Sequence, residues 1–284
     1  MSRKYVPLTT PSSFFANLSV NGISLAEFPP ELLAVYNHAW DNYIAQPSGN
    51  GEHNQETLRQ GSLVRLRRAF GALLQGNPTL AVEDASRVID RYEGPQEVNT
   101  AHLLRAYACG ATGDVQLYEQ GILDWNHVIS LYERARDQSS HETFCILYLE
   151  RAQLHAELAH YELAVADCDR AEQSGPLTAA LLSVRGLARG YLGDEKRALE
   201  DCTRSIEMEA TPDGYFRRGC LLSHLGRFAE AYADFKRAHA LAPDAPDIQN
   251  ALHVARLRGM WQWMDRMMEA VKQKGGDIPR DGSE

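Results

Sequence analysis

Five arginines and five aspartates are the residues of this 284-residue chain whose type and spacing first suggest chemistry. The arginines are Arg68, Arg105, Arg151, Arg185 and Arg218, and the aspartates are Asp84, Asp124, Asp167, Asp201 and Asp234. Four of the pairs are 16 residues apart and the second is 19 apart. Arginines at regular intervals have two chemical uses. They can form a ladder for an acidic ligand, or each can tie itself to its own aspartate across a pair of helices. The matched aspartates favour the tie. A ligand ladder has no reason to carry a carboxylate at each rung, and an unpaired charge in a packed interface is costly. These ten residues are therefore expected to be structural ion pairs.

No other set of residues converges on a reaction. His155 and His160 are five apart, so a helix sets them about 140° apart, whereas a zinc-protease pair needs a spacing of four on one face. Gly186, Gly190 and Gly193 follow no strand, and no Lys-Ser/Thr closes them into a phosphate loop. No strand–serine–helix elbow is present. The ten histidines are scattered. The five cysteines (Cys109, Cys145, Cys168, Cys202 and Cys220) form neither a disulfide framework nor a zinc spacing. Cys168 and Cys202 stand one residue after an aspartate, as Trp125 and Phe235 do, which marks them as core residues in a reducing compartment. The expectation is a chain with no catalytic residues, no metal and no cofactor.

The elements that carry the pairs repeat. Each arginine is followed by a small residue: Ala69, Ala106, Ala152, Gly186 or Gly219. From Ala152 the chain reads on through Leu158-Ala159-His160-Tyr161, Ala164, Asp167, Cys168, Ala171 and Pro176. From Gly186 it reads Leu192-Gly193-Asp194, Ala198, Asp201, Cys202 and Ser205. From Gly219 it reads Leu225-Gly226-Arg227-Phe228, Ala231, Asp234, Phe235, Ala238 and Pro243. These anchors advance by 34 and 33 residues. Weaker copies start at Ala69 and Ala106, the second with three extra residues between its helices. Small residues allow two helices to cross closely, with Tyr215 and Phe235 filling the space a turn away. Gly193 and Gly226 end first helices. Thr211-Pro212 starts one, and Ser139 with Glu142 reads as a capping box.

This pattern resembles the tetratricopeptide repeat, a helix–turn–helix unit of about 34 residues. The likeness covers about residues 62–245 and is clearest from Tyr215 to Pro243. The first copies depart from it: Arg65 stands where the family has a large aromatic or apolar residue, and Gly121 replaces a packing alanine. The resemblance implies an all-α, right-handed superhelix of about five helical hairpins with N- and C-terminal covering helices. It also implies that the first helices line a concave groove that binds segments of other proteins. The expected lining is Leu66, Phe70, Leu103, Tyr107, Leu149, Leu187, Tyr191 and Phe216. Family members that clamp chaperone tails use lysine, asparagine and arginine at such positions. Leu66, Phe70 and Leu103 stand there instead, so that clamp is missing.

Composition sets the outer bounds. The net charge of −9 disfavours nucleic acid, which wants a basic stripe. No apolar run reaches the ~18 residues of a membrane span, and a cytoplasmic location is expected. The expected organisation is an irregular segment at residues 1–30, a covering helix and linker at 31–54, the repeat array at 55–245, a capping helix at 246–274 and a disordered tail at 275–284. The apolar Phe14, Phe15, Leu18 and Val20 are expected either to cover the first hairpin or to fill the groove as a built-in ligand. In the last helix Val254, Leu257, Trp261, Met264, Met268 and Val271 recur at spacings of 3 or 4. Met260, Trp263 and Met267 widen that arc. It either lies in a deep groove on the fifth hairpin or forms a second interface. The expected role is a non-catalytic adaptor for another protein. The alternative is self-assembly, as a homodimer, through the C-terminal helix.

Overall fold

The structure, a computed structural model, describes residues 55–91, 94–135 and 141–274. Among them every regular element is an α-helix. In chain order these are α1 (Gln55–Leu74), α2 (Pro78–Arg91), α3 (Pro95–Ala111), α4 (Val115–Ala135), α5 (His141–Glu157), α6 (Tyr161–Ser174), α7 (Ala179–Tyr191), α8 (Glu195–Met208), α9 (Pro212–His224), α10 (Phe228–Leu241) and α11 (Pro246–Lys274). Consecutive helices pack as hairpins α1/α2, α3/α4, α5/α6, α7/α8 and α9/α10. The anticipated N-terminal helix, the apolar patch around Phe14, the capping box at Ser139 and the C-terminal tail lie outside the described residues.

The chain divides into two compact units that part between Leu177 and Thr178. The first contains α1–α6 and the second α7–α11. The repeat runs through this boundary without interruption, so the division is not legible in it.

Within each hairpin the small residues sit where the helices cross. Ala69, Ala106, Ala152, Gly186 and Gly219 are all buried, as are Ala81, Gly121, Ala164, Ala198 and Ala231 opposite them. A Cβ placed on Gly186 would lie 2.6 Å from Cys202 Sγ and 3.0 Å from the Ala198 carbonyl oxygen. One on Gly219 would lie 2.7 Å from the Phe235 ring. Glycine after the arginine thus makes room for the larger residue after the aspartate, so the two positions share one volume.

Each first helix ends in a residue of positive φ. Four hairpins use glycine: Gly76, Gly113, Gly193 and Gly226. The third uses Ala159, at φ 59°. The following amide then donates back into the helix, His160 N to His155 O at 2.8 Å and Arg227 N to Leu222 O at 2.8 Å, which satisfies carbonyls the helix leaves open. The starts are capped as well. Thr211 Oγ1 accepts from Gly214 N at 3.0 Å with Pro212 in the first turn, and Thr178 Oγ1 accepts from Leu181 N at 3.2 Å. An L-residue with a Cβ pays ~1–2 kcal/mol for the left-handed region. Ala159→Gly is therefore expected to raise unfolding free energy by ~0.5–1 kcal/mol after the greater freedom of glycine in the unfolded chain is deducted. Urea unfolding of the two proteins checks it.

Candidate functional site

The repeated arginine meets its aspartate in every hairpin. Arg68 holds Asp84 through Nε and a terminal nitrogen. Arg105 Nε and Nη2 donate to Asp124 at 2.8 and 2.9 Å. Arg151 binds Asp167 at 2.7 and 2.6 Å, Arg185 binds Asp201 at 3.0 and 3.3 Å, and Arg218 binds Asp234 at 2.7 and 2.8 Å. All five aspartates are buried. Two parallel N–H···O bonds per pair match the planar fork of guanidinium to the planar carboxylate, an arrangement a lysine cannot make.

Two further features of these pairs escaped the sequence reading. First, in four hairpins the arginine's own helix brings a second basic side chain to the aspartate. Arg65 Nη1 donates to Asp84 at 3.2 Å, and His102 Nδ1 lies 2.7 Å from Asp124 Oδ1. Arg189 Nη1 donates to Asp201 at 2.7 Å, and His155 Nε2 stands 3.9 Å from Asp167. Arg65 and His102 are three residues before the repeat arginine, and His155 and Arg189 are four after it. These are the two neighbours on the same helical face. Arg65 therefore departs from the family pattern for a reason visible in its own hairpin.

Second, the remaining guanidinium nitrogen reaches back to the preceding hairpin. Arg105 Nη1 donates to Ser86 Oγ at 3.1 Å, Arg151 Nη1 to Asn126 Oδ1 at 2.6 Å and Arg218 Nη1 to Thr203 Oγ1 at 3.3 Å. Ser86, Asn126 and Thr203 each stand two residues after a repeat aspartate. A polar residue at that offset was the signal available in the sequence.

The electrostatics follow from this saturation. Burial alone would push the Asp124 carboxyl up, but hydrogen bonds from His102 and Arg105 outweigh it and hold the group below its usual range. Burial lowers Arg65, with Arg68 and Arg87 adding to the shift and Asp84 opposing it. The hydrogen bond with Asp234 raises Arg218 against the effect of burial. Guanidiniums so engaged hold helices together rather than present charge to an acidic ligand. Four of the five cysteines are equally withdrawn, and Cys220 is half-buried. Burial pushes the Cys109 and Cys202 thiols up to about 12, far from a reactive thiolate. Among the described residues no group of three or more His, Cys, Asp or Glu is placed to hold a metal ion, and no helix is long and apolar enough to cross a membrane.

The expected groove residues divide between the two units. In the first, Leu66, Leu103 and Tyr107 are buried outright, and Phe70 and Leu149 nearly so. An open apolar lining is not what these five side chains form. Equivalent repeat positions identified their helix and turn but carried no information about cover. In the second unit Phe216 is buried against Phe235, with ring centroids 5.6 Å apart. Leu187 is half-buried, whereas Tyr191 is 41% exposed and packs on His224 at 4.8 Å between centroids. At the C-terminal end Met260, Trp263 and Met267 are all exposed, Trp263 by 61%. The deep groove on the fifth hairpin does not receive them.

Paired helices with small residues at each crossing, tied by buried ion pairs and repeated along the chain, define a helical-repeat fold. Residues 212–245, which span α9 and α10, match the tetratricopeptide repeat family. Solved structures agree at the level of the fold. A thermophilic tetratricopeptide-repeat protein of Thermus thermophilus is 18% identical with a TM-score of 0.52, over 69% of this chain and 99% of that one. A tetratricopeptide repeat protein from Parabacteroides merdae is 16% identical with a TM-score of 0.51, over 87% and 91%. The Cut9–Hcn1 hetero-tetramer of the APC/C is 12% identical with a TM-score of 0.51, over 92% of this chain and 48% of that one. A search of the curated proteins found no match. The family match thus covers one hairpin of the chain, and the solved structures share the fold of the rest.

Two outcomes test the ties. Arg151→Ala strands the buried Asp167 and is expected to cost about 3 kcal/mol, the low end for a broken buried pair because Arg170 lies 4.0 Å away. Arg227→Ala, which breaks the exposed pair with Glu230, should cost under ~1 kcal/mol. Urea titration of both variants measures the contrast. The pH dependence has a defined sign. Burial holds His155 below its ordinary value, with Asp167 opposing and Arg151 and His160 adding to the shift. Its unfolded value is about 6.5. As pH falls below that, the unfolded chain takes up a proton the folded chain refuses, so stability drops until the folded value is passed. His155→Leu should flatten the fall in urea midpoint between pH 7 and pH 5.

Proposed function

We propose that the protein is a non-catalytic adaptor that holds an apolar or amphipathic segment of a partner against the first helices of its second unit. The carrying observation is the column formed by α7 and α9. Leu187 and Cys220 follow the crossing glycines by one residue, and Tyr191 and His224 follow them by five. Leu187 and Cys220 are half-buried, and Tyr191 and His224 are exposed and meet ring to ring at an interplanar angle of 54°. A phenol and an imidazole side by side offer apolar ring faces and polar edges together, which suits an amphipathic segment. The column carries no arginine or lysine clamp for a terminal carboxylate. Leu66, Phe70, Leu103, Tyr107 and Leu149 belong to the packing of the first unit in this reading, so the partner's contacts fall on the second. A second reading, self-assembly through α11, is favoured by the exposed Met260, Trp263 and Met267. It uses a different surface and is compatible with the first.

Peptides selected on the intact chain from a displayed random library test the adaptor reading. They are expected to be rich in apolar residues and to lose at least about tenfold in affinity on Tyr191→Ala, as an aromatic anchor does. Leu123→Ala, at an exposed leucine on α4, should leave affinity unchanged. Binders indifferent to Tyr191, Leu187 and His224 together would overturn the assignment.

A further inference from the structure

The two faces of α11 have opposite fates. Ile248 and Ala255 are buried against the fifth hairpin, with Ala251 and Leu252 packed beside them. The same face continues through Gly259, whose Cβ position lies 3.9 Å from Phe228 Cβ, to Gln262, whose Nε2 donates to Gly226 O at 3.3 Å. On the other side Val254, Leu257, Trp261, Met264 and Met268 are all exposed. Their spacings run 3, 4, 3 and 4, the seam of a two-helix coiled coil rather than the stripe of a helix lying on its own domain. Met260 and Met267 flank the seam, and Trp263 stands three residues after one and four before the other, so it roofs both. Together the exposed apolar side chains present on the order of 800 Å² per chain, about one side of a standard protein interface and above the largest apolar patch of an ordinary monomer.

We propose that this face pairs with the same face of a second copy of the chain, as an antiparallel seam centred between Gln262 and Trp263. The charges beside the seam select this arrangement. In that register Arg258 lies opposite Asp265 of the second copy, and Asp265 opposite Arg258, so the symmetry makes the contact twice. Met260 lies opposite Met267, Trp261 opposite Met264, and Leu257 opposite Met268. Sliding the pair by one heptad either way sets Arg258 against Arg258 or Asp265 against Asp265. A parallel pair would set Met260 against Asp265. Asp265 has no cation one turn away on its own helix, where Trp261, Gln262, Met268 and Glu269 stand. Among the described side chains none pairs with it. Arg258 lies over the Phe228 ring at 5.7 Å and is exposed, so its guanidinium is available to the second copy. The single opposite charges are thus placed where only a second copy in this register uses both.

The mass of the intact chain in solution, by sedimentation equilibrium across micromolar concentrations, is the test. A dimer is expected. Arg258→Glu alone, or Asp265→Arg alone, places two like-charged contacts in the seam and should weaken dimerisation at least tenfold. The double variant restores opposite charges and should recover most of the loss, and retained helical circular dichroism shows that each variant folds. A single-chain mass at every concentration overturns the proposal. So does a dimer indifferent to the single swaps, or a double variant as weak as the singles. A chain that dimerises only after removal of residues 1–54 assigns the face to its own N-terminal segment and overturns it too.

Discussion

The structure depends on one contact repeated: a guanidinium laid flat against a carboxylate between two helices. Carboxylates as buried as Asp84 and Asp124 are tolerable because both oxygens of each are met by donors. Two come from the arginine fork, and in four hairpins another basic side chain from the same helix stands by. The pair thereby fixes the rotation of the first helix, since the fork meets the carboxylate in one orientation only. Packing alone would be less demanding. Alanine and glycine at the crossing allow a close approach, but they are smooth and permit the helices to slide. The ion pair is therefore the register pin, and the small residues are what let it close.

The same arginine also joins one hairpin to the next. Arg105, Arg151 and Arg218 each spend the remaining nitrogen on a polar side chain of the hairpin before. Repeat proteins are stabilised by units and by interfaces between nearest neighbours, and here a single side chain serves both terms. Loss of one such arginine should thus loosen a hairpin and its junction together. The two defects are not independent, so their costs do not add as distant sites would.

Much of this architecture was legible in the chain, because the small residue, the turn glycine and the aspartate recur at a helical-hairpin period. Thr211-Pro212 starts a helix as its chemistry demands, and Cys168 and Cys202 are core as their alignment with Trp125 and Phe235 indicates. The partners of the pins were harder to read. The second donor alternates between three residues before the arginine and four after it, so no column in the sequence contains it. The polar residue two after each aspartate does form a column, of Ser86, Asn126, Asp169 and Thr203, but its meaning depends on knowing which hairpin comes next. The exposure of the first-helix residues was illegible for a related reason. Equivalence between repeats places Phe70, Tyr107 and Leu187 one residue after the small crossing residue of a first helix. It does not reveal that the first two are buried and the third half-buried, because burial is set by what lies over the helix.

The end of the repeat shows the same logic running out. Lys236 occupies the position of Ser86, Asn126 and Thr203 in the last hairpin and is exposed. No arginine follows to use an acceptor there, since Leu252 stands 34 residues after Arg218. A lysine is pure donor, so it would repel an incoming guanidinium and suits a site that stays in water. The contact between α10 and α11 is correspondingly apolar, through Phe235, Ala238, Ile248 and Ala255. Apolar contact has no directional pin, so it stabilises α11 only as far as the hairpin beneath it extends. Beyond Gln262 nothing described lies under the helix, yet its outer face remains methionine and tryptophan. The change from ionic to apolar joining therefore marks where the repeated arginine–aspartate pin ends.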